Sequence, residues 1–310
     1  MLKRIVLAVV VAVLTLEATL QLAAVLLPGL SRRGGEPSPD SRLTILCVGD
    51  SHTYGAPLTE PQSYPSQLER SLRTRFGDSV DVVNLGVPGM NSAMLANRIE
   101  GQIAHFDPDL VIAWTGANSL WNPTESETSG ERASGGLYAA AFRSKLFRLG
   151  ALAWYRATSP TYARPELAEW SEDRTVFRYG DEELVVSVSG APVGSFAEVR
   201  RGIEQDLIRV VEVTQRYEVP LILLTYPYDE ILAVRTVNDA ARSVALVHEV
   251  PLVDTQRSIE RALADGFTRK QLVVNAAGPH PRELLYRYIV ENLLPPVLEL
   301  AVTPDDCESD

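Results

Sequence analysis

The sequence predicts an α/β fold, a three-layer α/β/α sandwich built on a parallel sheet of about five strands. Short apolar segments rich in β-branched residues alternate along the chain with longer amphipathic segments. That alternation is typical of a parallel sheet with helices on both faces. The amino-terminal apolar stretch adds one transmembrane helix to this prediction. No repeat of the length that builds solenoids or propellers is found.

The amino-terminal segment reads "IVLAVVVAVLTLEATLQLAAVLLPGL" over residues 5–30, with Glu17 as its single charge. A helix of this length can span a bilayer, and its Ile, Val and Leu residues outweigh the cost of one acidic residue. A cleaved signal peptide and a soluble amphipathic helix are the alternatives. The apolar run exceeds a usual signal core, and no small-residue cleavage site follows it. We therefore predict a membrane anchor over residues 1–30.

The orientation of this anchor rests on few charges. Lys3 and Arg4 precede the span, and Arg32 and Arg33 follow it, so the positive-inside rule barely discriminates. The α-amino group favours an inside amino terminus. We predict a single-pass protein whose main domain is exoplasmic, either periplasmic or extracellular.

The rest of the chain divides by composition. Residues 31–42 are rich in Gly, Pro, Ser and charge and predict a linker. A domain is expected over residues 43–300, followed by an acidic tail over 301–310. Residues 119–194 have no place in a minimal strand–helix repeat and predict an insertion, with a hairpin turning at Gly180-Asp181.

Within the domain, periodicity and β-branched content separate the two kinds of element. The predicted strands cover residues 43–49, 80–86, 109–116, 220–227 and 250–254. The predicted helices cover residues 63–76, 91–106, 195–217, 236–250 and 281–294.

Composition limits the partners. The formal net charge is -11 and no basic run is present, which argues against a nucleic-acid partner. Cys47 lies in an apolar strand and Cys307 near the carboxyl terminus, so we do not expect them to pair. No closely spaced His and Cys ligands occur, and we predict neither a metal nor another cofactor.

Chemistry-bearing residues follow three predicted strands and precede the last predicted helix. Ser51 follows the first strand, Gly89 the second and Asn118 the third, and His280 lies just before the last helix, where Pro281 suits the first helical turn. Ligands of open parallel sheets bind beyond the carboxyl ends of the strands. Acyl transfer requires a hydroxyl, an imidazole that takes its proton, and fixed N–H donors for the oxyanion. These four residues fit those requirements.

The four segments "GDSH" (49–52), "NLGVPGMNS" (84–92), "TGANS" (115–119) and "GPHP" (278–281) resemble the four blocks of the SGNH/GDSL hydrolase family. The resemblance covers most of residues 43–294 and implies a flavodoxin-like sheet. It implies that Ser51 is the nucleophile and His280 the base. The Ser51 and Gly89 N–H groups and the Asn118 side chain would form the oxyanion hole.

Each assignment has a structural alternative. Ser51 could be a helix N-cap, and Gly89 and Asn118 could serve their turns alone. Asp50 is interpreted as a structural acceptor that fixes the nucleophile turn. His52 is expected to point away from Ser51, with substrate contact and general base as lesser roles.

The family usually has an aspartate three residues before the histidine, where this chain has Ala277. The residue that would orient His280 is therefore absent from its expected place. Asp254, Asp265 and Asn275 are the candidates to replace it, and a backbone carbonyl could also hold the ring. A serine–histidine dyad is the remaining hypothesis.

We predict a serine esterase that hydrolyses O-acyl esters, acetyl esters above all, on a small molecule or on a cell-surface glycan. An O-acyltransferase that replaces water with a sugar hydroxyl is the first alternative. A catalytically weakened carbohydrate-binding or assembly protein is the second, and Ala277 is the feature that favours it.

Overall fold

The computed structural model describes residues 11–12, 14–22, 36–120, 166–170, 174–179, 182–187, 193–275 and 279–301. The chain divides into two compact units. One comprises Met1–Arg32 and Glu127–Ala163, and the other comprises Arg33–Ser126 and Arg164–Asp310.

In the first unit, the described residues are 11–12 and 14–22, and they are helical. No helix within the described part of the chain is both long enough and apolar enough to cross a membrane. Most of the predicted anchor lies outside the described residues, so the anchor stays a prediction.

The second unit contains ten described strands. They are β1 (Leu43–Gly49), β2 (Val80–Gly86), β3 (Leu110–Trp114), β4 (Glu166–Trp170), β5 (Arg174–Tyr179), β6 (Glu182–Ser187), β7 (Leu221–Leu224), β8 (Leu252–Val253), β9 (Val273–Asn275) and β10 (Pro279–Pro281). Its helices are α1 (Ser51–Tyr54), α2 (Tyr64–Phe76), α3 (Ser92–Ala96), α4 (Ile99–Phe106), α5 (Val193–Arg216), α6 (Leu232–Val247), α7 (Gln256–Ala264), α8 (Arg269–Leu272) and α9 (Glu283–Ala301).

The predicted parallel sheet is confirmed, with the strand order β2-β1-β3-β7-β8. β1 pairs in parallel with β2 and β3, and all seven of its residues are buried. This burial explains why "LTILCVG" is a continuous apolar run rather than an alternating one. The first strand is therefore central, and its carboxyl end opens in the middle of the sheet.

The connections place helices on both faces of this sheet. The chain moves from β1 to β2 in one direction and from β2 across β1 to β3 in the other. Because such crossovers are right-handed, α2 covers one face, and α3 to α6 cover the other. After β8, α7 and α9 join α2, against which α9 packs. This is the predicted three-layer sandwich.

Several element boundaries differ from the prediction. The predicted helix 91–106 is two helices, because Asn97 ends α3 and the Arg98 N–H bonds back to Leu95 O at 2.9 Å. Pro281 lies in β10 rather than in the first turn of the last helix, which begins at Glu283. That helix continues to Ala301 through Pro295 and Pro296.

The predicted hairpin is present as β5 and β6, which pair in antiparallel fashion from Tyr179 opposite Glu182. β4 adds a third strand to it. Most of the rest of the predicted insertion, including residues 121–165, lies outside the described residues. The structure describes the predicted linker from residue 36 onward. Within it, the Ser38 N–H donates to Asp81 of β2 at 2.6 Å. The predicted tail beyond residue 301 is not described.

Candidate active site

Ser51 lies in a turn that β3 holds against the end of β1. Gly49 has φ 152°, and a Cβ there would lie 2.0 Å from the Trp114 carbonyl oxygen, so the neighbouring backbone excludes any side chain. The Asp50 N–H donates to that same carbonyl at 3.1 Å. Asp50 is the N-cap of α1 and accepts a hydrogen bond from the His52 N–H at 2.8 Å. The capping role therefore belongs to Asp50, and the alternative that Ser51 is an N-cap does not apply.

His280 reaches Ser51 from a different part of the chain. It lies in β10, opposite Val274 of β9. Its Nε2 lies 2.8 Å from the Ser51 Oγ, and the imidazole is 6% exposed. This is the distance at which an imidazole takes a hydroxyl proton. The structure thus brings the predicted nucleophile and the predicted base together, although 229 positions separate them in the sequence.

Asp50 is the carboxylate nearest to this pair along the chain, and it is fully buried. Its Oδ2 accepts a hydrogen bond from the Tyr226 hydroxyl at 2.6 Å, and that hydroxyl accepts one from the Ala117 N–H at 3.3 Å. Burial, followed by the charge of Asp50, raises the pKa of Tyr226 well above its usual range. Tyr226 is therefore a neutral donor. Asp50 fixes the nucleophile turn, as its structural interpretation requires.

His52 lies between Asp50 and the strand that carries His280, a position that the sequence did not indicate. Its side chain is 5% exposed and packs over His280, with ring centroids 4.7 Å apart and planes at 20°. Its Nδ1 lies 3.3 Å from Asp50 Oδ1, and its Nε2 lies 3.1 Å from the Pro279 carbonyl oxygen. The feature of the sequence that could have indicated a role for His52 is its position next to Ser51. In the structure both residues lie in the four-residue helix that Asp50 caps. Which residue it would meet could not be read from the sequence.

The segments 84–92 and 115–119, which carry Gly89 and Asn118, contact each other at Met90. The Met90 N–H donates to Val87 O at 3.0 Å, and Gly89 has φ 83°, which with Pro88 gives the dihedral pattern of a type II turn. The Asn118 Nδ2 donates to the Met90 carbonyl at 3.0 Å. An amide nitrogen carries two protons, so this contact leaves one for a ligand. Both residues have a turn role, and their oxyanion roles stay predictions.

A buried hydroxyl pair ties the same two blocks together once more. The Oγ atoms of Ser92 and Ser119 lie 3.0 Å apart, and the Ser92 hydroxyl donates to Asp206 Oδ2 of α5 at 2.7 Å. Desolvation by burial raises the pKa of Asp206 above its ordinary value, and the hydrogen bond from Ser92 partly opposes this. α5 therefore fixes the relative position of the loops that carry Gly89 and Asn118.

The candidate orienting residues lie elsewhere or are not described. Asp254 accepts from the Thr225 hydroxyl at 2.8 Å and pairs with Arg242 at 3.0 Å. Asp265 accepts from the Tyr288 hydroxyl at 2.6 Å. None of these partners is His280.

Asn275 pairs through its backbone with Pro279 in the β9–β10 hairpin. Position 277, where the family's aspartate would stand, lies outside the described residues. Among the residues that the structure describes, no group of three or more His, Cys, Asp and Glu side chains could hold a metal ion.

Comparisons with known proteins identify the family of the chain. The model of a GDSL-like lipase/acylhydrolase family matches residues 47–288. A search of curated proteins finds no match.

Solved structures share the fold at low identity. LAE5, an alpha/beta hydrolase enzyme from the metagenome of Lake Arreo in Spain, is 19% identical with a TM-score of 0.51, over 84% of this chain and 97% of its own. A mutant of Axe2, an acetyl-xylooligosaccharide esterase from Geobacillus stearothermophilus, is 16% identical with a TM-score of 0.50, over 84% and 95%. At these identities the likeness concerns the fold alone.

Proposed function

Since the chain belongs to the GDSL-like lipase/acylhydrolase family, we propose that it is a serine esterase that removes O-acyl groups, above all acetyl groups, from a cell-surface glycan. Membership of this family makes it an ester hydrolase. The acyl group, the glycan and the catalytic roles of individual residues are the proposal. The observation that carries it is the 2.8 Å contact between Ser51 Oγ and His280 Nε2.

In the first half of the proposed reaction, His280 Nε2 takes the Ser51 proton while Oγ bonds to the ester carbonyl carbon. The carbonyl oxygen becomes an oxyanion, which the N–H groups of Ser51 and Gly89 and the free N–H of Asn118 would bind. The C–O bond to the alcohol then breaks, and His280 gives its proton to the leaving oxygen. An acyl-Ser51 ester remains.

In the second half, water replaces the alcohol. His280 takes a proton from the water as its oxygen attacks the acyl carbon, and the same donors bind the second oxyanion. The bond to Oγ breaks, Ser51 regains its proton from His280, and the carboxylic acid leaves. Atoms and charge balance without a metal or an oxidant.

The proposal of an acetylated glycan as substrate draws on a protein of similar fold and on the proposed location of the domain. One protein of similar fold acts, by its name, on acetyl-xylooligosaccharides. We further propose that residues 5–27 anchor the protein and that the catalytic domain is exoplasmic, because this apolar stretch carries one charge. Such a location would present the site to acylated glycans of the cell surface.

The test of the chemistry uses the purified full-length chain with p-nitrophenyl acetate. We expect turnover by the wild type and none by Ser51→Ala or His280→Ala, with unchanged circular dichroism. Turnover that survives in Ser51→Ala would refute the nucleophile. Acetylated xylo-oligosaccharide, offered with and without an acceptor sugar, then distinguishes hydrolysis from acyl transfer.

The test of the location is membrane fractionation, followed by protease treatment of intact spheroplasts. Cleavage of a membrane-bound chain from outside is expected. A soluble chain that begins near Ser31 would refute the anchor, and protection from protease would refute the orientation.

A further inference from the structure

We propose that His52 is the positioning residue for His280 and that it acts as an imidazolium, with a proton on each ring nitrogen. The proposal rests on the proposed esterase function, because it assigns His52 a task in that site. Ala277 stands where the family usually has an aspartate, and His52 is a described residue whose ring packs against His280.

Two contacts fix His280 from the His52 side. The two imidazole rings are stacked with centroids 4.7 Å apart and an interplanar angle of 20°. The His52 Nε2 donates to the carbonyl of Pro279 at 3.1 Å, and Pro279 immediately precedes His280. His52 therefore holds both the face of the ring and the backbone from which the ring projects.

His52 is itself rigidly held. Its ring packs edge-on against Tyr226 with centroids 4.8 Å apart, and its centroid lies 5.2 Å from that of Trp114. Its carbonyl accepts a hydrogen bond from the Tyr286 hydroxyl at 2.8 Å. The two ring nitrogens of His52 face Asp50 Oδ1 and the Pro279 carbonyl oxygen rather than the Ser51 hydroxyl, so its proposed effect passes through His280.

The hydrogen-bond partners fix the protonation state of His52. Its Nε2 faces a carbonyl oxygen, which can only accept. Its Nδ1 lies 3.3 Å from Oδ1 of Asp50. The Asp50 carboxylate accepts hydrogen bonds from the His52 N–H at 2.8 Å and from the Tyr226 hydroxyl at 2.6 Å, so both of its oxygens act as acceptors. A neutral imidazole would direct a lone pair at one of these two acceptors, whereas the imidazolium satisfies both.

Among the described residues, the titratable groups that face His52 besides Asp50 and His280 are tyrosines. Tyr226 and Tyr228 both face the ring, and burial raises the pKa of each well above its usual range. The Tyr286 hydroxyl is engaged as a donor to the His52 carbonyl. Asp50 and His280 are thus the groups facing His52 whose charge matters at neutral pH.

The charge of His52 has a consequence for catalysis. A cation stacked on His280 disfavours a second cation there, so the resting enzyme keeps His280 unprotonated at a lower pH, while the step in which His280 takes the Ser51 proton becomes less favourable. The same repulsion favours the return of that proton to the leaving alcohol. His52 would therefore extend activity toward acidic pH.

The protonation state can be measured without any turnover. In the full-length protein labelled with nitrogen-15, imidazole spectra are recorded across neutral pH, and the His52 signals are assigned by their loss in His52→Gln. We expect protonated nitrogens at both ring positions of His52, together with a neutral His280 ring. A single protonated nitrogen on His52 at pH 7 would overturn the proposal.

The kinetic test compares His52→Gln with the matched control His105→Gln, whose side chain is 55% exposed and pairs with Glu36. We expect His52→Gln to lower kcat by roughly 10- to 100-fold with little change in KM, because a misplaced base costs about this much. The acid limb of the kcat/KM profile should move up by about one pH unit, because the repelling cation is gone. His105→Gln should match the wild type.

An unchanged kcat or an unmoved acid limb in a folded His52→Gln protein would overturn the proposal. If His52→Gln does not fold, the wild-type nitrogen spectra decide, with signals assigned by sequential labelling. Failure of the esterase function itself appears separately, as absence of turnover in the wild type.

Discussion

Asp50 and Asp254 follow strands of the same sheet, yet the tertiary structure gives them different roles. Asp50 comes directly after β1 and is fully buried. Asp254 comes directly after β8, and its side chain is 26% exposed in an ion pair with Arg242. The first carboxylate holds His52 and the Ser51 turn, while the second holds helix α6 to the strand end.

Position in the sheet explains the difference. β1 is flanked by β2 and β3, so the residues that follow it are enclosed by neighbouring loops, whereas β8 is an edge strand. A charge in the enclosed position must be satisfied by fixed donors. A charge at the edge keeps partial access to water, where an ion pair contributes little. Both aspartates directly follow a strand, but Asp50 contacts residues of the candidate active site and Asp254 does not.

Replacement of Asp50 should have the largest effect. Asp50→Asn removes the anion that pairs with His52 and weakens the turn before Ser51. We expect kcat to fall by about 100-fold and the free energy of unfolding to fall by about 1–3 kcal/mol. Steady-state kinetics and urea unfolding measure the two effects. An Asp50→Asn enzyme with undiminished kcat would contradict the role given to this carboxylate.

Removal of one donor to Asp50 should have an intermediate effect. Tyr226→Phe deletes the 2.6 Å hydrogen bond to Asp50 Oδ2 and leaves the Ala117 N–H without that acceptor. We expect a stability loss of about 1–2 kcal/mol and a smaller drop in kcat than in Asp50→Asn. The matched control is Tyr217→Phe, since Tyr217 is 39% exposed. Equal behaviour of the two variants would show that Asp50 does not need the hydroxyl.

The pH dependence of stability tests the role of a third aspartate, Asp206, which contacts the loops that carry Gly89 and Asn118 through Ser92 and Ser119. Burial raises the folded-state pKa of Asp206 above its ordinary value of 3.8, so the folded protein binds this proton more tightly than the unfolded chain does. Its contribution to stability is full below 3.8 and is lost as pH rises through the raised folded value.

Asp206→Asn removes this titration. Urea unfolding from acidic to neutral pH should therefore show the variant gaining on the wild type as pH rises. The comparison variant is Asp239→Asn, which removes a carboxylate that is 43% exposed. A constant difference between Asp206→Asn and wild type at every pH would contradict the prediction.

The smallest effects should come from the other two acidic candidates. Asp254→Asn and Asp265→Asn remove partners of Arg242 and Tyr288, not of His280. We expect kcat to stay at the wild-type level, and Asp254→Asn to cost at most about 1 kcal/mol. A collapse of kcat in one of them, with folding intact, would identify that residue as the partner of His280 and displace His52 from that role.

The fold could be predicted from the sequence because each buried strand is visible as a short apolar segment. The five strands of the main sheet were recognisable as continuous apolar runs, since helices cover both faces. The β5–β6 hairpin was predicted from its turn residues. α7 and α8 were not predicted, and the 91–106 segment was read as one helix. Short helices and breaks depend on capping and tertiary contacts, which periodicity does not record.

The sequence by itself determined the strands of the sheet and the residue types that gather at the strand ends, because hydrophobic patterning and turn chemistry act over a few neighbouring residues. Only the tertiary structure decided which of these residues meet. Ser51 and His280 come together through the β9–β10 hairpin, and His52 finds a buried place between Asp50 and Pro279. The contacts of Ser51 with His280 and of His52 with Pro279 join residues 229 and 227 positions apart, and their distances follow from how the whole sheet and its covering helices pack.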